Sequence, residues 1–244
     1  MQQHSTLRMD RRAPDELRHT RIIPGFQAFA DGSALIEMGI TKVLCAATVE
    51  ERVPAFLRSS GKGWVTAEYA MLPRSTISRT ARASSDQPGG RASEIQRLIG
   101  RTLRAATDLE ALGERTVILD CDVLQADGGT RTAAITGAYV ALYQALLKLV
   151  RQRVLPSVPI RCAVAATSVG MVDGVPLLDL CYEEDVRAQV DFNVAMTDRG
   201  EYVELQATAE GAPFSQETSD RLLALARQGI QHLLAVQRDV VKTL

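Results

Sequence analysis

The chain has 244 residues, of which 46% are hydrophobic and 23% are charged. This balance is typical of a globular protein and excludes a disordered chain, and the length suits one large domain or two closely packed halves. The formal net charge of −1 gives no global sign of nucleic-acid binding. Apolar runs stop short of a membrane span and no secretory signal is present, so we expect a soluble cytoplasmic protein that does not bind membranes.

The four cysteines lie in separate apolar runs, and none of them forms the close pairs that structural zinc sites require. They are Cys45, Cys121, Cys162 and Cys181. Because free cysteine is among the most frequently buried residue types, we predict that all four are reduced core residues.

The first half of the chain predicts strands followed by helices. Residues 1–20 are polar and charged, which indicates an arm or a surface segment. Apolar runs beside glycine turns predict strands over 33–38, 42–49 and 64–70. Residues 73–90 are almost without apolar side chains, which is typical of a functional or mobile loop. Periodicity then predicts a helix, a strand and a second helix, over 92–112, 116–124 and 132–152.

The second half repeats this pattern. Turns at Asp173-Gly174 and Asp198–Gly200 each separate two apolar runs, which is typical of β-hairpins. The four runs and the helix that follows them cover 162–169, 177–183, 192–196, 202–207 and 215–241. Strands with helices, twice over, predict an α+β fold with pseudo-duplicated halves. We place these halves at 16–153 and 160–244 of a single domain that covers 1–244.

The segment Ala126-Asp127-Gly128-Gly129-Thr130-Arg131 joins the predicted strand to the second helix. Its glycines let the backbone approach an anion, and the first helical amides are unpaired at the positive end of the helix dipole. Thr130 can donate its hydroxyl, and Arg131 can contact two phosphate oxygens at once. An anion site is one interpretation, and a glycine turn with a threonine helix cap is the other. The ending Gly-Lys-Ser/Thr is absent, so this is not a P-loop.

Two further segments carry arginines in positions that suit phosphate groups. Gly89-Gly90-Arg91 repeats the combination of glycines, an arginine and a helix N-terminus. In the loop before it, Arg74, Arg79 and Arg82 alternate with serine and threonine, a composition that suits contact with a phosphate backbone. A solvated linker is the alternative interpretation of this loop.

Asp185 and Asp191 form the candidate carboxylate pair. On one straight strand they would lie about 20 Å apart, which is too far to share an ion. A break in the strand over 186–189 would bring both to one Mg²⁺, which binds one or two carboxylates together with substrate oxygens. For any single acid, a strand-end or surface charge is the simpler interpretation. The competing carboxylates are Asp120, Asp122 and Asp179.

The histidines argue against a histidine-centred triad, because His4, His19 and His232 lie near the chain ends and far apart in sequence. Two-metal nucleases make hydroxide from water and need a dense acid cluster. An enzyme that attacks with inorganic phosphate needs arginines and backbone amides instead, and the sequence fits that need better.

Taken together, the motifs resemble those of the bacterial ribonuclease PH family along essentially the whole chain. They include Gly63-Trp64-Val65-Thr66-Ala67-Glu68-Tyr69, Met71-Leu72-Pro73-Arg74-Ser75-Thr76, Gly90-Arg91 and Glu94-Ile95-Gln96-Arg97-Leu98-Ile99. The most specific stretch is Leu119-Asp120-Cys121-Asp122-Val123-Leu124-Gln125-Ala126-Asp127-Gly128-Gly129-Thr130-Arg131-Thr132.

The resemblance implies a phosphorolytic 3′→5′ exoribonuclease that trims tRNA precursors and releases nucleoside diphosphates. The residues that would bind the attacking phosphate are Arg91, Gly129, Thr130 and Arg131. The residues that would hold Mg²⁺ and take part in catalysis are Asp185 and Asp191. The residues that would bind the RNA are Arg74, Arg79 and Arg82. The implied fold is a β-α-β-α unit like the second domain of ribosomal protein S5, assembled as a homohexameric ring, a trimer of dimers.

Two other functions stay open at the level of the sequence. One is a catalytically silent RNA-binding ring subunit, as occurs among relatives of this fold. Against it stands the joint presence of Arg91, Arg131, Asp185 and Asp191. The other is a polynucleotide phosphorylase, which joins two such units with added RNA-binding domains, whereas this chain has room for one unit.

Overall fold

The computed structural model describes residues 8–82 and 89–244. Over these residues it contains nine strands and five α-helices, which confirms the predicted α+β class. The helices are α1 (Gly90–Ala106), α2 (Leu109–Leu112), α3 (Thr130–Arg151), α4 (Tyr182–Arg187) and α5 (Gln216–Val241). The strands are β1 (Thr20–Pro24), β2 (Gly32–Met38), β3 (Thr41–Glu50), β4 (Trp64–Met71), β5 (Thr116–Gln125), β6 (Val164–Val172), β7 (Val175–Leu178), β8 (Ala188–Thr197) and β9 (Tyr202–Ala209).

Strands β1 to β5 form one sheet in the order β1-β2-β3-β5-β4, in which only the neighbours β4 and β5 are parallel. Every second residue of β5 from Val117 to Val123 is buried, which gives the sheet an apolar face. Helix α3 packs on β2 and β3, and α1 packs on β4. Because β4 and β5 run in the same direction, both end at the edge where the chain turns into α3.

Strands β6 to β9 form a second, antiparallel sheet in the order β7-β6-β8-β9. Helix α5 packs on β6 and β7, and α3 contacts β6 as well as the first sheet. Contrary to the expectation that every apolar run stops short of a membrane span, α3 is by length and composition apolar enough to cross one, but most of its apolar stretch is buried inside the fold. Helix α3 is thus the central helix of the core, and its N-terminus lies at the turn that follows β5.

Most predicted elements are confirmed to within a few residues, but the helix expected over 92–112 is wrong at its end. Helix α1 stops at Ala106, because Thr107 takes an extended conformation and forms a bridge with Ile160. Asp108 then accepts hydrogen bonds from the amides of the next turn and caps the separate short helix α2. The helix therefore ends before a capping aspartate, although the apolar periodicity of the sequence continues beyond that residue.

Two further expectations need correction. The polar N-terminal segment is not a free arm from residue 8 onwards, because Arg8 and Arg18 are almost completely buried, and it leads into the unpredicted strand β1. The run over 177–183 ends as a strand at Leu178, and its last residues belong to α4. All four cysteines are free and buried, as predicted. Residues 1–7, and 83–88 of the predicted loop, lie outside the described residues.

Candidate active site

The turn between β5 and α3, residues 126–131, is here called the glycine turn. Gly128 and Gly129 both have left-handed backbone angles, with φ of +70° and +64°. A Cβ atom on Gly128 would lie 2.7 Å from the Leu180 carbonyl oxygen and 2.8 Å from the Tyr182 nitrogen. Gly128 therefore lets the turn pack directly against the backbone that leads into α4. Gly129 precedes the first residue of α3, so the unpaired end of that helix opens at the turn.

Thr130 and Arg131 begin α3 and are held by residues from other elements. The Thr130 hydroxyl lies 2.8 Å from the hydroxyl of Tyr69, at the end of β4. Burial raises the pKa of Tyr69, against an opposing effect of the Arg91 and Arg131 charges. These two arginines are distant in sequence, but the structure brings both near the N-terminus of α3.

The Arg131 guanidinium is oriented by two polar side chains. It donates to Gln206 on β9 at 2.9 Å and lies 3.6 Å from the Glu94 carboxylate on α1. Gln206 in turn donates to Glu94 at 3.1 Å. Neither Gln206 nor Glu94 was predicted as a site residue, because each is a common polar residue whose role depends on the contact between α1 and β9.

A change of secondary structure separates Asp185 from Asp191 along the chain. Asp185 lies in α4 and Asp191 lies in β8, and the chain passes from helix to strand between them. Burial raises the pKa of Asp185, against the charges of Arg91 and Arg131. Burial also raises the pKa of Asp191, and the neighbouring charge of Asp185 adds to this effect. The charges of Arg91 and Arg131 thus act on Asp185, and the charge of Asp185 acts on Asp191.

Asp185 and Asp191 are the carboxylates that could hold a metal ion, but two side chains do not form a complete metal cage. Among residues 8–82 and 89–244, no group of three histidine, cysteine, aspartate or glutamate residues could hold a metal ion. Mg²⁺ is normally held by one or two carboxylates, with waters and substrate phosphates completing the shell. Asp185 and Asp191 match that pattern.

Comparison with known protein families identifies the family of this chain. Residues 16–148 match domain 1 of the 3′ exoribonuclease family, and residues 162–229 match domain 2 of the same family. The chain belongs to the 3′ exoribonuclease family, which includes ribonuclease PH.

Relatives named Ribonuclease PH match almost the full chain. The protein from Syntrophomonas wolfei is 57% identical over 235 residues, which are 96% of this chain and 98% of the relative. The protein from Solibacter usitatus is 55% identical over 237 residues, 97% of this chain and 100% of the relative. At this identity and coverage, the chain is an enzyme of the ribonuclease PH type.

Solved structures share the fold at much lower identity. A chain of the Archaeoglobus fulgidus exosome with RNA bound to the active site has a TM-score of 0.81 at 22% identity, covering 94% of this chain and 92% of that one. Rice Rrp46 has a TM-score of 0.78 at 19% identity, covering 96% of this chain and 100% of that one. These likenesses establish the two-domain ribonuclease PH fold.

The arginine-rich loop of this family member is anchored to the glycine turn. The carbonyl of Ser75 accepts a hydrogen bond of 2.8 Å from the amide of Ala126. The three predicted RNA-binding side chains of the loop are exposed to solvent, and they are Arg74, Arg79 and Arg82. The structure therefore fixes the start of the loop beside the predicted phosphate site and leaves its arginines accessible.

The competing carboxylates have other surroundings. Asp120 and Asp122 lie on the face of β5 opposite to the buried Cys121 and Val123, and burial raises the pKa of each. Asp179 is completely buried, and both of its oxygens accept hydrogen bonds from Arg18. Asp120 and Asp122 are thus a pair on one face of the sheet, and Asp179 is the structural ion-pair partner of Arg18.

The segment that carries Asp185 is held by an arginine that sequence reasoning missed. Arg8 donates to both oxygens of Glu184 at 2.7 Å. Burial opposes ionisation of Glu184, but the bonds from Arg8 and from the amide of Cys181 outweigh it and lower its pKa. An arginine in a polar N-terminal segment gives no sequence signal for this role, because its partner lies 176 residues away.

Proposed function

We propose that this chain trims the 3′ ends of tRNA precursors in the cytoplasm, using inorganic phosphate as the attacking group and releasing nucleoside diphosphates. The observation that carries the proposal is that Arg91 and Arg131, the latter at the N-terminus of α3, lie near enough to the exposed Asp185 for their charges to act on its carboxylate, and that Asp185 acts in the same way on the half-buried Asp191. An anion and a metal-bound phosphodiester would meet there.

The reaction transfers a nucleotide from RNA to phosphate. An oxygen of inorganic phosphate attacks the phosphorus of the last phosphodiester, and a new P–O–P bond forms. The bond from that phosphorus to the 3′ oxygen of the preceding nucleotide breaks, and this oxygen takes up a proton. The products are a nucleoside 5′-diphosphate and an RNA that is one nucleotide shorter.

The glycine turn and the arginines would bind and orient the nucleophile. The Gly129 and Thr130 amides lie at the positive end of the α3 dipole, and Arg131 can hold two phosphate oxygens. Arg91 would offset the repulsion between the phosphate and the RNA backbone. Holding two anions in line for attack is the main catalytic contribution that this set of residues can make.

Asp185 and Asp191 would hold Mg²⁺. When bound there, the ion would supply charge stabilisation for the leaving 3′ oxygen. The exposed arginines of the loop, Arg74, Arg79 and Arg82, would guide the RNA end towards the pocket, since arginine positions a phosphate backbone without regard to base sequence.

We also propose the homohexameric ring, a trimer of dimers, that the ribonuclease PH resemblance implies. Large apolar side chains are exposed outside the candidate site, among them Phe26, Phe29 and Phe56. Assembly would remove such surfaces from water, and light scattering of the purified protein tests the stoichiometry.

The deciding experiment uses a tRNA with a short 3′ extension, incubated with Mg²⁺ in the presence and absence of phosphate. We expect shortening only with phosphate, and nucleoside diphosphates as the sole mononucleotide products. Monophosphates formed without phosphate would refute phosphorolysis. Binding of the tRNA without any shortening would instead indicate a silent RNA-binding ring subunit.

A further inference from the structure

Arg18 and Thr41 contact the backbone of the glycine turn from the side of the first sheet. The Thr41 hydroxyl donates to the carbonyl of Gly128 at 2.9 Å and accepts a bond of 2.9 Å from the amide of Asp127. The Arg18 guanidinium donates to the carbonyl of Asp127 at 2.5 Å. Neither residue belongs to the set that the family resemblance assigns to phosphate or metal.

These contacts fix the direction in which two amides of the turn point. In a trans peptide the carbonyl and the N–H point in opposite directions, because the group is planar. The carbonyls of Asp127 and Gly128 are directed towards Arg18 and Thr41, so the N–H groups of Gly128 and Gly129 are directed away from them. Within residues 8–82 and 89–244, no acceptor receives the Gly129 N–H.

Arg18 is itself a rigid support. It is almost completely buried, and it binds both oxygens of Asp179 at 2.9 and 2.6 Å. Burial opposes the charged form, but the charge and hydrogen bonds of Asp179 outweigh it and raise the pKa of Arg18. A Cβ atom on Gly129 would lie 2.7 Å from the guanidinium, so the arginine packs directly beneath the turn.

We infer that Arg18 and Thr41 are positioning residues for the attacking phosphate, which they serve by holding the Gly129 amide towards the phosphate pocket. The inference rests on the proposed function. Donors that are fixed in place before the anion arrives need no reorganisation when it binds. Without these carbonyl contacts the two peptide groups of a glycine pair can rotate, because glycine accepts many backbone conformations.

The test compares Thr41→Val with Thr41→Ser. Valine keeps the shape of the buried side chain but removes both hydrogen bonds, whereas serine keeps the hydroxyl. We expect Thr41→Val to raise the KM for inorganic phosphate about tenfold, with the KM for RNA unchanged within about twofold. Thr41→Ser should behave like the unsubstituted chain. The Kd for inorganic phosphate, measured by calorimetry without RNA, should rise in parallel with KM.

Arg18→Gln is the second variant, and Arg8→Gln is its matched control. Both arginines are buried, and each binds one carboxylate: Arg18 binds Asp179 just before α4, and Arg8 binds Glu184 within α4. Unlike Arg18, Arg8 donates no hydrogen bond to a carbonyl of the glycine turn. We expect Arg18→Gln to raise the KM for phosphate more than Arg8→Gln does. Thermal unfolding of both variants shows whether they lose similar stability.

Two results would overturn the inference. One is a phosphate KM for Thr41→Val equal to that of the unsubstituted chain. The other is an equal rise in KM for Arg18→Gln and Arg8→Gln, which would mean a general loss of structure. Should Arg18→Gln fail to fold, the valine and serine pair decides alone. A failure of the proposed function is distinct, because the unsubstituted chain would then release monophosphates without phosphate or would not shorten the tRNA at all.

Discussion

The chain has two glycine pairs at the start of a helix, each followed closely by an arginine, and their surroundings in the structure differ. Gly128 and Gly129 are left-handed and are packed against the backbone near α4 and against Arg18. At Gly89 the φ angle is an ordinary −57°, and a Cβ atom on Gly89 or Gly90 would meet no atom of residues 8–82 and 89–244 within 4 Å. One pair forms a tightly supported turn, and the other is an open helix start.

This difference shows that a glycine pair before a helix does not define an anion site by itself. In the glycine turn, Arg18 and Thr41 bind the backbone carbonyls and so orient the backbone amides, although both residues are distant in sequence. At the start of α1, the predicted contribution to phosphate binding comes from the Arg91 side chain, which is exposed. We therefore expect substitutions in the two regions to have very different effects.

The largest effect is expected for Gly128→Ala. The methyl group would clash with the backbone around Cys181 and would sit on a left-handed residue, which alone costs about 1–2 kcal/mol. The turn must then move, and a displacement of about 1 Å at a reacting group can cost about 100-fold in rate. We expect a loss of this order in kcat/KM for phosphate, measured with an extended tRNA, together with a lower Tm.

Arg131→Ala comes next and is compared with Arg91→Ala. Arg131 is held in place by Gln206 and Glu94, so its guanidinium is organised before phosphate binds. A charge-assisted hydrogen bond contributes about 1.5–3 kcal/mol, so the KM for phosphate should rise about 10- to 100-fold. The Kd for RNA should change little, and Arg91→Ala should have the smaller effect. A larger effect of Arg91→Ala would reverse the ranking of the two regions.

A third, smaller effect is expected for the loop. We expect the triple replacement of Arg74, Arg79 and Arg82 by glutamine to weaken RNA binding and leave the phosphate KM unchanged. Each lost phosphate contact should reduce the slope of log K against log salt by about one. Filter binding over a salt series measures this slope. An unchanged slope would mean that the loop does not contact the RNA backbone.

The smallest effect is expected for Gly90→Ala. Within the part of the chain that the structure describes, no atom lies within 4 Å of the added methyl group, and alanine favours a helix over glycine by about 0.5–1 kcal/mol. We expect a Tm that is unchanged or slightly higher and a phosphate KM within about twofold of that of the unsubstituted chain. If Gly90→Ala impaired phosphate use as strongly as Gly128→Ala, the two helix starts would be equivalent and the comparison would be wrong.

The sequence predicted the elements that have strong local signals. Strands with alternating apolar residues and the long helices were located within a few residues, since their periodicity follows from burial of one face. The sequence-based helix over 92–112 was wrong at Thr107, where an extended residue and the capping Asp108 end the helix although the apolar pattern continues. It also missed β1, whose pairing with β2 carries little of its own sequence signal.

By itself, the sequence determined the fold class, the chemical character of the glycine turn and the candidate arginines and acids, because these depend on residue types at short spacing. Only the tertiary structure decided that Arg91 and Arg131 both approach Asp185, and that Arg18 and Thr41 hold the turn. Such contacts join residues far apart in the chain, and their geometry depends on how the sheets and helices pack. A buried arginine and an exposed one look the same in sequence, and packing alone decides which one supports a turn and which one is accessible to solvent.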